Sequence, residues 1–523
     1  MMLSDDFPAI VRVYRAWGRR GAAALALLQV ALAAGACGRD TPFGDARARA
    51  STAHLPGAPP RAAASPSAQA PPDAKAANAK IAYLHYDITI DPQRDILSAT
   101  VCPRGFALQQ LTAPIDEAAP LIAHPHTDSV PLTSANGILP VGKLAATACV
   151  HYQVNLKSAL ALDSSDARRI DDDLLLSPDL WLWAPKPYPV GLKVSAQFHM
   201  PAGWRAAVPW PRLDKQRFRI PQSAFVWRTQ AAFGTLPARV MHTGRGEVTS
   251  YVLGKGWGRR HQAVLDWVQR SAEAVTSLFG RFPTSRVQAL LVTTPARSKP
   301  FGMAMHGGGN SAFMLLPQDI NLRDVDSQWT VVHELLHFSL PPIVNADAWL
   351  HEGITTYLTT KARARAGIID ESFAWWELLD GFERGRHNGT GLSLREESAK
   401  MQETHAYWRV YWAGAALALA MDMKLTARGS SLEKTLLDMA DKNLDYARRF
   451  NGPEVIQLLD QTCGSSIPSD ASQQYLNSSE FPDTDTLAKQ LGVRIKSKHH
   501  TSFNNAAPKA KLRHKLMRPA SAP

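Results

Sequence analysis

Residues 329–340 read WTVVHELLHFSL, and the fold is decided by how that stretch is taken. Apolar residues flank His333, Glu334 and His337, so a helix here is buried and its three polar groups need partners. His333 and His337 stand four apart and share one helix face, the spacing at which two imidazoles reach one metal ion. Glu334 follows the first of them and points toward the position of an attacking water, where a general base is wanted. The pattern predicts a helix over 326–340, closed by Pro341-Pro342, that supplies two ligands to one zinc ion per chain.

Downstream, fourteen residues separate His337 from Glu352 in the stretch WLHEGITTYL, 349–358. The spacing predicts a second helix from Asp347 to about Ala366. A carboxylate on it is the third ligand a catalytic zinc site needs, with the fourth position left for water. HExxH followed by WLxEGxTxYL resembles the gluzincin metallopeptidases and is most similar to the glycyl-aminopeptidase and alanyl-aminopeptidase families. The stretch YWAGAAL, 411–417, followed by Met421-Asp422, resembles their Y-x-x-G helix. The resemblance implies a multidomain α+β protein: an N-terminal antiparallel β domain, a thermolysin-like catalytic domain and a helical C-terminal domain. It implies that His333, His337 and Glu352 bind zinc, that Glu334 activates water, and that Tyr411 donates to the oxyanion, with Tyr407 one turn earlier as the alternative.

The pattern departs from those families upstream. Aligning Gly302-Met303-Ala304-Met305 with their amine-binding strand puts His306 where a glutamate binds the substrate's α-amine. The expected activity is therefore aminopeptidase-like peptide hydrolysis, with an endopeptidase or a peptidase for blocked termini as the alternative, and a non-catalytic peptide-binding protein after that. His306 and the glycines Gly307, Gly308 and Gly309 are read as substrate-binding, since bare backbone lets a peptide approach and pair. Thr356 is a candidate hydrogen-bond partner for a ligand histidine, and His351 is expected to face away from the metal.

The remainder of the chain follows by composition. It has 523 residues, 45% hydrophobic and 20% charged, with 14 Trp, enough for several domains and too apolar for a disordered protein. Period-two alternation begins at Ile81, in IAYLHYDITI, and assigns 81–250 to β structure. The catalytic domain is read as 251–370, opening with a helical stripe over 256–280, and the helical domain as 371–495. The basic tail 496–523 is read as disordered, and acidic residues such as Asp163, Asp166 and Asp171–Asp173 as a solvated loop.

Charge is unevenly distributed along the chain, and that bears on its partners. The formal net charge is +12, but residues 81–495 hold 41 basic and 41 acidic groups, so the excess sits in the ends. That gives no support for a nucleic-acid partner. Arg12, Arg15, Arg19 and Arg20 precede an apolar run over 21–36 that ends Ala34-Gly35-Ala36-Cys37. Residues 1–36 are read as a signal peptide, Cys37 as a lipidated N-terminus and 37–80 as a disordered tether. The expected setting is the periplasm, with the body held to a membrane by lipid; a soluble periplasmic form is the alternative. In an oxidising compartment Cys102 and Cys149, both in strand-like segments, are candidates for a disulfide.

Overall fold

A computed structural model of the protein describes residues 81–518, apart from 129, 143–147, 163–165, 323–327, 443, 445 and 447. The leader, Cys37 and the tether lie outside the described residues, as does Asp163. Among the described residues no helix is long and apolar enough to cross a membrane.

The alternating N-terminal stretch forms a six-stranded sheet, in the order 217–220, 193–199, 83–91, 96–104, 150–155 and 122–127. In the strand Tyr83–Asp91 the residues Leu84, Tyr86, Ile88 and Ile90 point inward and are buried. They pack over Trp181, Trp183 and Trp210, all fully buried. The hydroxyls of Tyr86 and Tyr152 donate to the carbonyls of Trp183 and Trp181, each at 2.7 Å. Both polar tips in this core are thereby satisfied. Cys102 and Cys149 are joined by a disulfide that ties neighbouring strands together.

One expectation changes here. The sheet is mixed, because Tyr83–Asp91 pairs in parallel with Lys193–His199. That second strand returns after a long excursion and not through a hairpin, and alternation in sequence is the same for either direction.

The boundary of the β region also moves. The hairpin formed by Ala238–Thr243 and Gly246–Leu253 belongs to a second, five-stranded sheet, in the order 238–243, 246–253, 286–294, 311–317 and 301–305. Gly246–Leu253 pairs in parallel with Arg286–Thr294 and is buried along nearly its whole length. A strand covered on both faces carries no alternation to mark it as part of this layer. Asp173 opens the strand Asp173–Leu176 of a further, four-stranded sheet and ties it to the five-stranded one, its carboxylate accepting from the N–H groups of Gly254 (2.9 Å) and Thr235 (3.1 Å). Asp166 is buried against Arg228. These two aspartates are structural and do not belong to a solvated loop.

Helices cover the second sheet and continue to the C-terminal side. His261–Phe279 buries the predicted stripe and ends at Gly280 in the left-handed conformation, φ +77°. Thr330–Leu336, continued by a 3-10 turn over His337–Ser339, carries the HExxH motif, Ala348–Arg365 carries Glu352, Glu371–His387 follows, and Tyr407–Ala427 carries Tyr411.

The basic tail is folded, against expectation. Val493–Ser497 and His500–Phe503 form a hairpin, and Ala510–Met517 is a helix whose Leu516 and Met517 are fully buried. Arg513, also fully buried, donates to Leu491 O (3.1 Å), Asn505 Oδ1 (2.7 Å) and Glu371 Oε1 (3.2 Å). His514 and Arg518 meet the same Glu371 carboxylate. The density of Lys and Arg hides a short apolar face made by Leu512, Leu516 and Met517.

Candidate active site

The site lies where the free edge of the second sheet faces three helices. His333 and His337 project from one helix face, and Glu352 from the next helix points between them. Glu352 Oε2 lies 3.2 Å from His333 Nε2 and 3.7 Å from His337 Nε2. One ligand atom from each of the three residues lies within 4.8 Å of the others, and all three are at least largely buried. Such a cluster of Nε2 and carboxylate donors is what a divalent metal requires.

The outer nitrogens of the two imidazoles are held by threonines. Thr359 Oγ1 donates its one proton to Thr355 O at 2.7 Å. It therefore meets His333 Nδ1, 3.3 Å away, only as an acceptor. That places the His333 proton on Nδ1 and leaves the Nε2 lone pair for the metal. Thr355 Oγ1 lies 3.3 Å from His337 Nδ1. Thr356, the threonine expected from the sequence, makes neither contact. The face of this helix bearing Gly353, Tyr357 and Lys361 is occupied by the Tyr411 helix, so Thr355 and Thr359 turn to the histidines. Thr359→Val is expected to weaken zinc binding about 10–100-fold, with Thr356→Val unchanged, in competition against a chromogenic chelator.

Glu334 sits beneath the edge strand Phe301–Met305. The N–H of Ala304 donates to its carboxylate, and a Cβ at Gly302 would overlap its side chain. Gly302 thus lets the strand come down onto the base. Burial, and then the neighbouring charge of Glu352, push the Glu334 carboxyl well above its ordinary range, against the Ala304 bond. Tyr411 is enclosed on the far side, where its hydroxyl donates to Glu352 and lies close enough to Glu334 to feel its charge. Tyr407 turns away and donates to Gln402 Oε1 at 2.6 Å.

The placement of Tyr411 depends on two glycines. The Glu352 and Tyr411 helices cross at Gly353 and Gly414. A Cβ on Gly414 would overlap Trp349 O and approach Gly353 Cα, and one on Gly353 would overlap the Gly414 backbone. This close crossing brings residues beside the two glycines, Glu352 and Tyr411, face to face. A buried network holds the same pair of helices lower down. Asp422 accepts from Tyr357 Oη (2.6 Å) and Lys361 Nζ (2.5 Å), and Lys361 also reaches Glu433 (2.6 Å).

The remaining predicted residues fall differently. His306 ends the edge strand, with its ring 5.1 Å from Phe338. Burial, with His351 adding to it, pushes its imidazole down to about 4, so it is neutral near pH 7. His351 faces into the cluster, contrary to the sequence reading, with its ring 5.5 Å from His337 and Nδ1 3.6 Å from Glu352. Gly307–Gly309 are engaged with the N-terminal region. A Cβ on Gly307 would overlap the Trp227 ring, Gly309 (φ +114°) lies against Pro209, and Gly308 O accepts from Trp210 Nε1 at 3.0 Å. Their bareness lets two layers meet; Gly308 is buried and closed to a peptide.

No protein-family model matches the chain, and no curated relative matches it either. Among solved structures it is similar to an aminopeptidase N family protein from Idiomarina loihiensis, with a TM-score of 0.60, 18% identity and 78% of each chain covered. Native yeast LTA4 hydrolase aligns with a TM-score of 0.47 at 13% identity, covering 78% of this chain and 70% of that one. The same enzyme in complex with bestatin aligns at 0.44 and 13%, covering 81% and 69%. The first of these likenesses establishes the fold, a multidomain α+β arrangement shared with that protein.

Proposed function

We propose that the protein is an exported, zinc-dependent metallopeptidase of the gluzincin type. The observation that carries the reading is convergence: three metal donors, a buried carboxylate and a phenol surround one gap at the sheet edge. Two imidazoles and one carboxylate suit zinc and leave a coordination position open. When bound there, zinc supplies Lewis acidity that lowers the pKa of a water and polarises a carbonyl.

The chain's own groups supply the rest. Glu334 takes a proton from the attacking water and returns it to the leaving amine. Tyr411 donates to the oxyanion, and the glycine crossing holds it in range. Thr355 and Thr359 fix the imidazoles.

Specificity is aminopeptidase-like in fold type, but one observation favours internal cleavage or blocked termini. The residue in the expected amine-binding place is the neutral His306, and the acidic groups within the cluster are Glu334 and Glu352, already committed. Asp347, behind His351, is tied to Gly452 N (2.7 Å) and Trp349 Nε1 (3.3 Å). Export and a lipid anchor at Cys37 belong to the same reading, supported by the leader sequence and by a disulfide suited to the periplasm.

The test is a digest of a complex peptide mixture, read by mass spectrometry, with and without a zinc chelator and after zinc is restored. Cleavage is expected to vanish on chelation and return with zinc, and the new termini then distinguish end-trimming from internal cuts. Cleavage indifferent to the chelator would overturn the metal mechanism. No cleavage in any arm would favour a peptide-binding protein.

A further inference from the structure

Beyond the metal cluster, one exposed cation stands close enough to His351 to act on it electrostatically and has no acidic partner among the described residues. Arg448 and Arg449 are adjacent, yet they are used differently. Arg448 is committed: its guanidinium lies 3.8 Å from the centre of the Phe450 ring and pairs with Glu454 at 3.2 Å. Arg449 is exposed and lies 5.0 Å above the Trp227 ring, and among the described residues it makes no ion pair. Trp227 in turn packs on Gly307, the residue after His306. A line of contacts thus runs from Arg449 through Trp227 to the end of the edge strand.

The arginine is also held in place. Phe450, next in the chain, is buried, and its backbone bonds the segment that follows the HExxH helix on both sides. Its N–H donates to Pro342 O (2.8 Å) and its carbonyl accepts from Val344 N–H (2.9 Å). Arg449 is therefore fixed relative to the metal donors by two backbone bonds one residue away. An arginine seated over an indole ring retains N–H donors for a planar acceptor, the chemistry that recognises a carboxylate.

We propose that Arg449, seated on Trp227, is a specificity-determining residue that receives a carboxylate of the peptide substrate, so that the protein selects acidic peptides. This rests on the peptidase reading above and adds the substrate class to it. The same arrangement disfavours a free ammonium at that end of the cleft, in keeping with His306 there. The carboxylate belongs either to an acidic side chain or to the peptide's C-terminus, and both sources place the same group on the arginine.

The experiment uses the zinc-loaded full chain and internally quenched octapeptides in which Glu, Gln or Lys is scanned through every position around the cleaved bond. A parallel pair ends in a free acid or an amide. The expected result is a preference of about tenfold for Glu over Gln at one position, or for acid over amide, shrinking as salt is raised. Arg449→Gln removes the preference and Arg449→Glu turns it toward Lys, while Arg448→Gln retains it. The same peptides, labelled, are titrated against Glu334→Gln protein to read binding without cleavage. Cleavage with no charge preference, or a preference that survives Arg449→Gln, overturns the proposal and leaves the peptidase reading standing. Arg449-dependent binding of acidic peptides with no cleavage by the wild type sustains the subsite and overturns the enzyme. Absence of both refutes both.

Discussion

Glu334→Gln is expected to lower kcat for peptide hydrolysis by about 10²–10⁴-fold, the usual contribution of a positioned general base, with zinc content unchanged. Glutamine matches glutamate in size, so the fit beneath Gly302 is preserved. It cannot accept a proton from water, so the step assigned to the carboxylate is removed and little else. The ligand set keeps its geometry, because His333 and His337 are fixed through Thr359 and Thr355 and not through residue 334. Metal analysis and a kinetic assay on the same preparation check both halves. Loss of zinc along with activity would assign residue 334 to the metal. Undiminished turnover would remove it from the chemistry.

Lys361→Ala is expected to destabilise the protein by about 3–5 kcal/mol, the cost of breaking a buried ion pair from one side. Burial alone would push the Lys361 ammonium down, but Asp422 and Glu433 outweigh it and the group stays charged. Removing it leaves Asp422, which is fully buried, facing Glu433 with no cation between them. Asp422 also accepts from Tyr357 Oη and from Leu432 N–H at 2.9 Å, so the loss spreads to the start of the next helix. Because this network clamps the Glu352 and Tyr411 helices, activity should fall at temperatures where the variant is still folded. Denaturant melts and kcat against temperature, beside wild type, measure the two effects. A change under about 1 kcal/mol would mean that water or a neighbour replaces the ammonium.

The parts of this molecule that were legible in sequence are those written in local spacing. His333 and His337 are four apart on any helix, and the alternation after Ile81 commits that stretch to a half-buried strand. Partner choice across space was not legible. Thr355, Thr356 and Thr359 look alike along the chain, and only the side taken by the Tyr411 helix decides which of them meet the histidines. Gly302, Gly353, Gly414 and Gly307–Gly309 are all glycines of close approach, but sequence does not say what approaches. For Gly307–Gly309 the close neighbours are Trp227, Thr229 and Pro209. His351 turns inward because Ala348–Arg365 is packed by its glycine crossing, a contact 61 positions away in the chain from its cause at Gly414 to Gly353. In the tail, composition misled: seven basic residues outweigh three buried apolar ones until Glu371 is seen to gather the cations.

That tail has a bearing on how the protein is made. The segment 493–518 is synthesised after every helix it closes upon, yet Glu371 and its neighbours depend on it for their charge partners and cover. A chain cut short before that segment presents an acidic, apolar scar on an otherwise finished body. The segment therefore acts as a seal over Glu371 and the helices beneath it.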